Sequence, residues 1–141
     1  MIKLSWFGVL LSLLMFAAPV RAQDDATAAA WQTVINGQIA AFQANDATAA
    51  LSFATAPFHD AYTDPKAFVA AIVDSGYSPI IESRSHSFGR YQIVSPGHVL
   101  QDVKFVGNDQ SLYEAIYQLD QETAGWRVQG VQLMKTPGVG V

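Results

Sequence analysis

The densest group of titratable side chains in the sequence lies at His59 and Asp60, with Tyr62 and Asp64 close by. A histidine that titrates near neutral pH beside a carboxylate can act as a general base. The side chains of adjacent residues diverge in an extended backbone, so a solvated loop between two helices accounts for the same residues. We therefore assign no catalytic residue from the sequence, and His59 and Asp60 remain the two candidates for acid–base chemistry.

Aromatic residues with polar tips suggest a second kind of chemistry, which is the orientation of a small ligand inside an apolar cavity. Tyr113 and Tyr117 share one face of a predicted strand, and Tyr91 and Trp126 belong to other predicted strands. Several hydroxyls that converge in an apolar cavity can orient a ligand. These four residues are the predicted ligand-binding residues, and ordinary core packing with hydroxyls at the rim is the alternative.

Metal binding and nucleotide binding have no supporting motif. His59, His86 and His98 are far apart, and none forms an i,i+4 helical pair or an i,i+2 strand pair of ligands. His86 and His98 meet only if the pairing of the first hairpin sets them opposite each other. The chain has no Gly-x-Ser-x-Gly turn and no glycine-rich loop ahead of a helix. The sequence therefore predicts neither a metal site nor a cofactor.

The face of the predicted strands that points away from the helices carries two further hypotheses. Arg127 either binds an anion or pairs with Glu114 or Asp120 of the neighbouring strand, an interaction worth at most about 1 kcal/mol. Leu112 and Ile116 lie on the same exposed face, which is a natural surface for self-association. A homodimer is therefore one of the assemblies that the sequence allows.

The N-terminal segment is typical of an export signal. Lys3 supplies a positive charge, residues 4–18 are almost wholly apolar, and the Val-Arg-Ala sequence that ends at Ala22 has the small-x-small form of a cleavage site. A membrane anchor is the alternative, but a proline and an arginine interrupt the run that a spanning helix of about 20 residues needs. We predict cleavage after Ala22 and a single periplasmic or secreted domain, residues 23–141.

The composition of the predicted mature chain excludes several classes of function. Six basic residues remain against twelve acidic ones, a net charge of −6. Such a chain repels nucleic acid and anionic membrane surfaces, so neither is an expected partner. The chain has no cysteine, so disulfides, thiolate metal sites and cysteine nucleophiles are excluded.

Apolar periodicity predicts three helices in the first half of the mature chain. The first spans residues 26–45, with apolar residues at spacings of three and four: Trp31, Val34, Ile35, Ile39 and Phe42. Asp46 is suited to cap a second helix that ends at Pro57. Asp64, followed by a proline, is suited to cap a third that ends at Gly76.

The second half carries four strand-like segments joined by short turns, which favours an antiparallel meander. They span residues 83–95, 99–106, 111–121 and 125–135. The apolar residues change parity at Gly89 and at Gly130, which predicts a β-bulge at each glycine. Two bulges bend a sheet into a cone closed by helices, and a flat sheet is the alternative. The expected fold is α+β, with N-terminal helices packed against a curved antiparallel sheet.

Three segments, residues 34–58, 64–80 and 125–133, resemble the bacterial family domain of unknown function 4864. The shared motif residues are Gln38, Ala41, Phe42, Asn45, Asp46, Ala56, Pro57, Phe68, Tyr77, Pro79, Gly125, Trp126 and Arg127. The resemblance implies the cone-like fold of the nuclear transport factor 2-like (SnoaL-like) superfamily, which includes steroid isomerases, polyketide cyclases and non-catalytic modules. It implies no activity. Ala61-Tyr62-Thr63 stands where the family pattern has a phenylalanine ahead of the third helix. Because of this departure, the resemblance does not predict the shape of the cone mouth.

Three functions follow from these observations. The first is an exported, non-enzymatic domain that binds a small apolar or amphipathic molecule, or a protein, through the cone cavity or the sheet face. The second is an isomerase-like or cyclase-like enzyme that uses acid–base catalysis. The third is a homodimeric structural module. An enzyme needs a carboxylate or imidazole inside the cavity, whereas a binding module needs only volume and a few hydroxyls.

Overall fold

The computed structural model describes residues 20–136, with side chains from residue 26 onward. In this range the helices are α1 (Val20–Gln43), α2 (Ala47–Ser52), α3 (Ala56–Ala61), α4 (Pro65–Ile72) and α5 (Ser78–Ile81), with a π-helical turn (Val73–Tyr77) before α5. The strands are β1 (Ser85–Ser95), β2 (His98–Val106), β3 (Leu112–Glu122) and β4 (Gly125–Lys135). The predicted signal segment lies outside the described residues except for its last three positions. No helix within the described range has the length and apolar character needed to cross a membrane.

Two aspartates begin helices as the sequence predicts. A carboxylate oxygen of Asp46 accepts a hydrogen bond from the backbone N–H of Ala49 at 3.0 Å. A carboxylate oxygen of Asp64 accepts one from the N–H of Lys66, also at 3.0 Å. Each bond satisfies a first-turn donor that has no partner within its own helix. Gly76 has the predicted left-handed conformation, with φ of 92°, although α4 ends earlier and the chain reaches α5 through the π-helical turn.

The segment that contains His59 and Asp60 is helical, so the prediction of a loop there is wrong. Pro57 does not end the second helix; it lies in the first turn of α3, where its missing N–H costs no hydrogen bond. A carboxylate oxygen of Glu122, at the end of β3, accepts from the N–H of Ala56 at 3.0 Å. The sheet therefore holds the beginning of this short helix.

The four strands form one antiparallel sheet in the order β1-β2-β3-β4. Its inward face carries alternate residues of β2 and β3, all buried: Val99, Gln101, Val103, Phe105, Ala115, Tyr117 and Leu119. The opposing surface comes from one face of α1: Ala28, Trp31, Ile35 and Ile39. The prediction of helices packed against an antiparallel sheet is therefore confirmed.

Both predicted bulges are present, and they give the sheet its curvature. In β1, Gly89 and Arg90 lie opposite the single residue Asp102. In β4, the register shifts so that Gln129 is the additional residue, next to Gly130. Each bulge places the apolar residues before and after it against the same core: Phe88 and Tyr91 in β1, Val128 and Val131 in β4.

A buried glutamine satisfies the backbone at the β1 bulge. Gln101 is 0% exposed. Its amide nitrogen lies within hydrogen-bonding distance of the carbonyl oxygens of Gly89, Arg90 and Asp102, at 3.1, 3.3 and 2.9 Å. Its Oε1 atom accepts from the indole N–H of Trp31 at 2.9 Å. One polar side chain thus supplies partners for groups that an irregular strand leaves without a ladder bond.

Aromatic rings pack around this glutamine. The ring of Trp31 contacts Tyr91 and Trp126 in edge-to-face arrangements, with centroids 5.1 and 5.3 Å apart. Such pairs stabilise a core beyond the area they bury. Trp31, Tyr91, Gln101 and Trp126 together form what we call the filled end of the core.

Candidate functional site

A cavity of about 270 Å³, which we call the cone cavity, lies beside the C-terminal half of α1 and against β3 and β4. Its inner wall consists of buried residues: Gln38, Phe42, Ala54, Phe68, Ile80, Tyr117 and Val128. Its outer wall consists of less buried residues: Phe58, Tyr62, Ala71, Ile72, Ser75, Tyr77, Gly130 and Val131. The wall is therefore apolar apart from a few hydroxyl and amide groups.

The β4 bulge determines which residues of the sheet line this cavity. Because of the bulge, Val128 and Val131 both face inward and line the same space. The segment between α2 and α3 pairs with β4 at this point through an isolated parallel bridge between Ala54 and Val128. The N–H of Thr55 donates to the Val128 carbonyl at 3.1 Å, and the N–H of Val128 donates to the Phe53 carbonyl at 2.8 Å. This backbone bridge fixes the start of α3, whose Phe58 contributes to the outer wall.

Two of the polar groups in the wall hold the cavity together. The Tyr77 hydroxyl donates to the Val131 carbonyl at 2.6 Å, which ties the π-helical turn to β4. The amide nitrogen of Gln38 donates to the Ala50 carbonyl at 3.1 Å, which ties α1 to α2. Each of these bonds joins two different elements of the wall.

The structure separates the four predicted ligand-binding residues. Tyr117 lines the cone cavity. Tyr91 and Trp126 pack on Trp31 in the filled end. Tyr113 lies near the turn between β2 and β3, in a shallow groove outside the cavity. The sequence pattern placed all four on the inner face of the sheet, but residues of one face are spread along its whole length.

Four polar residues of the wall were not predicted as site residues: Gln38, Tyr62, Ser75 and Tyr77. Tyr77 and Gln38 belong to the motifs that carry the family resemblance, and that was the signal that could have pointed to them. Tyr62 lies in the segment Ala61-Tyr62-Thr63, where the sequence departs from the expected pattern, and its ring packs edge-to-face on Phe68 with centroids 5.7 Å apart. The departure noted in the sequence therefore falls on a residue of the cavity wall.

The two candidate catalytic residues lie outside the cavity. His59 and Asp60 are exposed on α3, and neither lines the cavity wall. The Nε2 atom of His59 lies 3.2 Å from the Ala54 carbonyl oxygen. The neighbouring residues Phe58 and Tyr62, not the titratable pair, face the interior.

The remaining histidines bind separate partners. His86 lies opposite Phe105 in the sheet, and its Nε2 is 2.7 Å from the Asn36 side-chain oxygen. Burial lowers the pKa of His86. His98 contacts a carboxylate oxygen of Asp120 at 2.8 Å. The two histidines do not meet, and residues 26–136 contain no group of three or more potential metal ligands of the His, Cys, Asp or Glu type.

Arg127 lies opposite Asp120 in the register of β3 and β4, as the strand order predicts. Its guanidinium donates to the carbonyl of Trp126 at 2.7 Å, while Asp120 contacts His98. The ion pair proposed for Arg127 with Glu114 or Asp120 is therefore absent from the described part of the chain.

Comparisons with known proteins identify a family and a solved structure to which the chain is similar. The model of the family described as Domain of unknown function (DUF4864) matches residues 23–141. No curated protein matches the chain. Among solved structures, the chain is similar to the hexachlorocyclohexane dehydrochlorinase LinA-type3 from Novosphingobium barchaimii LL02, with 17% identity and a TM-score of 0.47. The similarity covers 86% of this chain and 96% of that one.

Proposed function

The chain belongs to the family described as Domain of unknown function (DUF4864), and because membership names no activity, we propose from the geometry of the site that the protein binds a small, largely apolar molecule in the cone cavity. A single observation carries this proposal: the cavity is walled by apolar side chains with a few hydroxyl and amide groups. Concave, mostly apolar spaces with a few polar groups are typical of small-molecule sites.

The volume sets the size of the ligand. An apolar cavity of about 150 Å³ is large enough to bind benzene. The cone cavity measures about 270 Å³, which leaves room for one aromatic ring and several further heavy atoms. The outer wall includes the exposed Ser75, so this side offers the route by which a ligand would enter.

The acid–base enzyme is the alternative, and the composition of the wall disfavours it. None of the described lining residues is Asp, Glu, His, Lys or Arg. A general base has to lie within hydrogen-bonding reach of the proton it removes, and the candidates His59 and Asp60 lie outside the wall. Binding without turnover is therefore the function that this site supports best.

Two neighbouring alanines of α4 provide the test. Ala71 lines the cavity, whereas Ala70 is exposed on the same helix. Ala71→Leu adds three carbon atoms to the cavity, and we expect it to weaken the binding of ethylbenzene, measured by isothermal titration calorimetry, by about ten-fold or more. Ala70→Leu makes the same change of residue type in the same helix and should bind as the wild type does. Equal affinities for the two variants would overturn the proposal.

A homodimer through the outer sheet face is the second candidate, because two large apolar side chains are exposed there. Leu112 and Met134 are 47% and 49% exposed, and Ile116 is partly exposed on the same face of β3. Size-exclusion chromatography with light scattering on residues 23–141 should then give a dimer, and Leu112→Ser should give a monomer. A wild-type protein that stays monomeric at high concentration would remove this candidate.

We also propose that the protein is exported and cleaved after Ala22. The charge, apolar run and small-x-small ending of residues 1–22 support this, as does a family match that begins at residue 23. N-terminal sequencing of the protein from the periplasmic or secreted fraction should begin at Gln23. A chain that keeps its first 22 residues and stays with the cytoplasmic fraction would overturn this proposal.

A further inference from the structure

Tyr117 combines deep burial with a hydroxyl that makes no hydrogen bond within residues 26–136. Its side chain is 1% exposed and lines the cone cavity. Burial raises the pKa of the phenol. No side-chain nitrogen or oxygen in this part of the chain is completely enclosed without a partner. The Tyr117 hydroxyl must therefore reach open space, and the cone cavity is the space that this residue lines.

The other polar groups of the wall are in a different situation. The Tyr77 hydroxyl and the Gln38 amide nitrogen already donate to backbone carbonyls. Tyr62 and Ser75 belong to the less buried outer wall, where water can reach them. Among the described residues, Tyr117 is thus the inner-wall donor that makes no hydrogen bond within the protein, whereas the Gln38 amide nitrogen makes one. A hydroxyl that faces the cavity and has no acceptor within the protein is free to donate to a bound molecule.

The charge of the wall limits the ligand further. No ionisable acid or base other than tyrosine lines the cavity in the described part of the chain. A charged group taken into such a space would lose its hydration without gaining an opposite charge. The buried part of the ligand must therefore be neutral.

We propose that the cone cavity selects a neutral, mostly apolar molecule with one oxygen acceptor, such as the carbonyl of a ketone, and that the Tyr117 hydroxyl donates a hydrogen bond to that oxygen. The inference rests on the proposed function, because it assigns chemistry to the same cavity. Tyr117 lies at the centre of the sheet, in register with Gln101 of β2 and Val131 of β4, and its ring packs on Phe105. The donor is therefore held by rigid elements before any ligand arrives.

Two probes of nearly equal size test the hydrogen bond. Ethylbenzene has no acceptor, whereas acetophenone has a carbonyl oxygen on the same ring. We expect the wild-type protein to bind acetophenone about five- to ten-fold more tightly than ethylbenzene, because acetophenone gains one hydrogen bond in an apolar cavity. Tyr117→Phe should remove this preference while leaving the affinity for ethylbenzene unchanged or slightly higher. Both affinities are measured by isothermal titration calorimetry.

Tyr113→Phe is the matched control, because it removes a hydroxyl from the same strand outside the cavity. This variant should keep the preference for acetophenone. Benzoate, which carries a negative charge on a similar frame, should bind far more weakly than acetophenone. A preference for acetophenone that survives Tyr117→Phe, or benzoate bound as tightly as acetophenone, would overturn this inference. If neither neutral probe binds the wild type, the proposed function itself fails.

Discussion

The filled end and the cone cavity differ in what supplies hydrogen bonds to the backbone at the neighbouring β-bulge. Each lies beside a bulge in an edge strand, where the backbone has lost a regular ladder bond. At the filled end, the amide nitrogen of Gln101 contacts carbonyl oxygens of the β1 bulge, and its oxygen accepts a hydrogen bond from the Trp31 indole. At the cone cavity, the backbone of Ala54 and Thr55 meets β4 instead. The side chains of Gln101 and Trp31 occupy the volume beside the β1 bulge, whereas the backbone bridge between Ala54 and Val128 leaves a cavity beside the β4 bulge.

The polar groups differ in the same way. Within the described residues, both the nitrogen and the oxygen of the Gln101 amide have partners inside the protein. Tyr117, one strand away and directly opposite Gln101 in the register, has a hydroxyl without one. The Gln101 amide therefore has a structural role, whereas the Tyr117 hydroxyl can donate to a ligand. Changes at the two ends should therefore affect different properties of the protein.

The largest effect is expected at the filled end. Gln101→Leu would remove the hydrogen-bond partner of the carbonyls at the β1 bulge and of the buried indole N–H of Trp31, at a cost of about 1–3 kcal/mol for each group that water cannot reach. We expect the free energy of unfolding to fall by about 3 kcal/mol or more in urea denaturation. Gln132→Leu, on an exposed position of β4, should change it by less than about 0.5 kcal/mol. Similar losses for both variants would show that the bulge does not depend on this side chain.

A smaller effect is expected where the cavity wall is tied together. Tyr77→Phe removes the 2.6 Å bond to the Val131 carbonyl and should lower the free energy of unfolding by about 1 kcal/mol. It should also loosen the π-helical turn over the cavity, so dissociation of acetophenone should be faster in stopped-flow measurements. Tyr113→Phe makes the same change where no hydrogen bond to another described residue is present. Equal stability for the two variants would mean that the Tyr77 bond contributes nothing.

Much of the fold can be predicted from the sequence because its signals are local. The aspartate caps depend on residues within one turn, and the parity change at Gly89 and Gly130 is visible within one strand. The short helix at His59 was missed because a proline is compatible with both the end of one helix and the first turn of the next. Only the contact with Glu122, distant in sequence, decides between them.

The site is harder to predict from the sequence. Alternation of apolar residues predicts which face of a strand a side chain occupies, but not whether a cavity lies between that face and the helices. Tyr91, Tyr117 and Trp126 all face inward, yet only Tyr117 borders empty space. What separates them is the distance between the sheet and the helices, which depends on residues far apart in the chain. One useful signal was overlooked: Gln101 interrupts the apolar series Val99, Val103 and Phe105 on the inward face, and a polar residue in such a place usually has a specific partner.

The stability of the fold should also depend on pH through His86 of β1, which does not line the cone cavity. Burial lowers the pKa of His86 from its ordinary value of 6.5, so the unfolded chain takes up a proton more readily than the folded one. Stability should therefore fall as the pH drops below about 6.5. His86→Gln keeps a donor for the Asn36 oxygen and should flatten this dependence between pH 7 and pH 5, measured by urea denaturation at each pH. An unchanged slope would place the titrating group elsewhere. The cone cavity has no comparable group among its described residues, so acetophenone binding should not change over this range.

The smallest effect on stability should come from the residue that matters most for binding. Tyr117→Phe removes a hydroxyl that has no partner in the described structure, so no internal hydrogen bond is lost. The free energy of unfolding should stay within about 0.5 kcal/mol of the wild-type value, because no hydrogen bond to another described residue is removed. Urea denaturation of the two ligand-free proteins measures this directly. A loss of about 1 kcal/mol or more would mean that the hydroxyl has a structural partner, and Tyr117 would then belong with Gln101 and not with the ligand site.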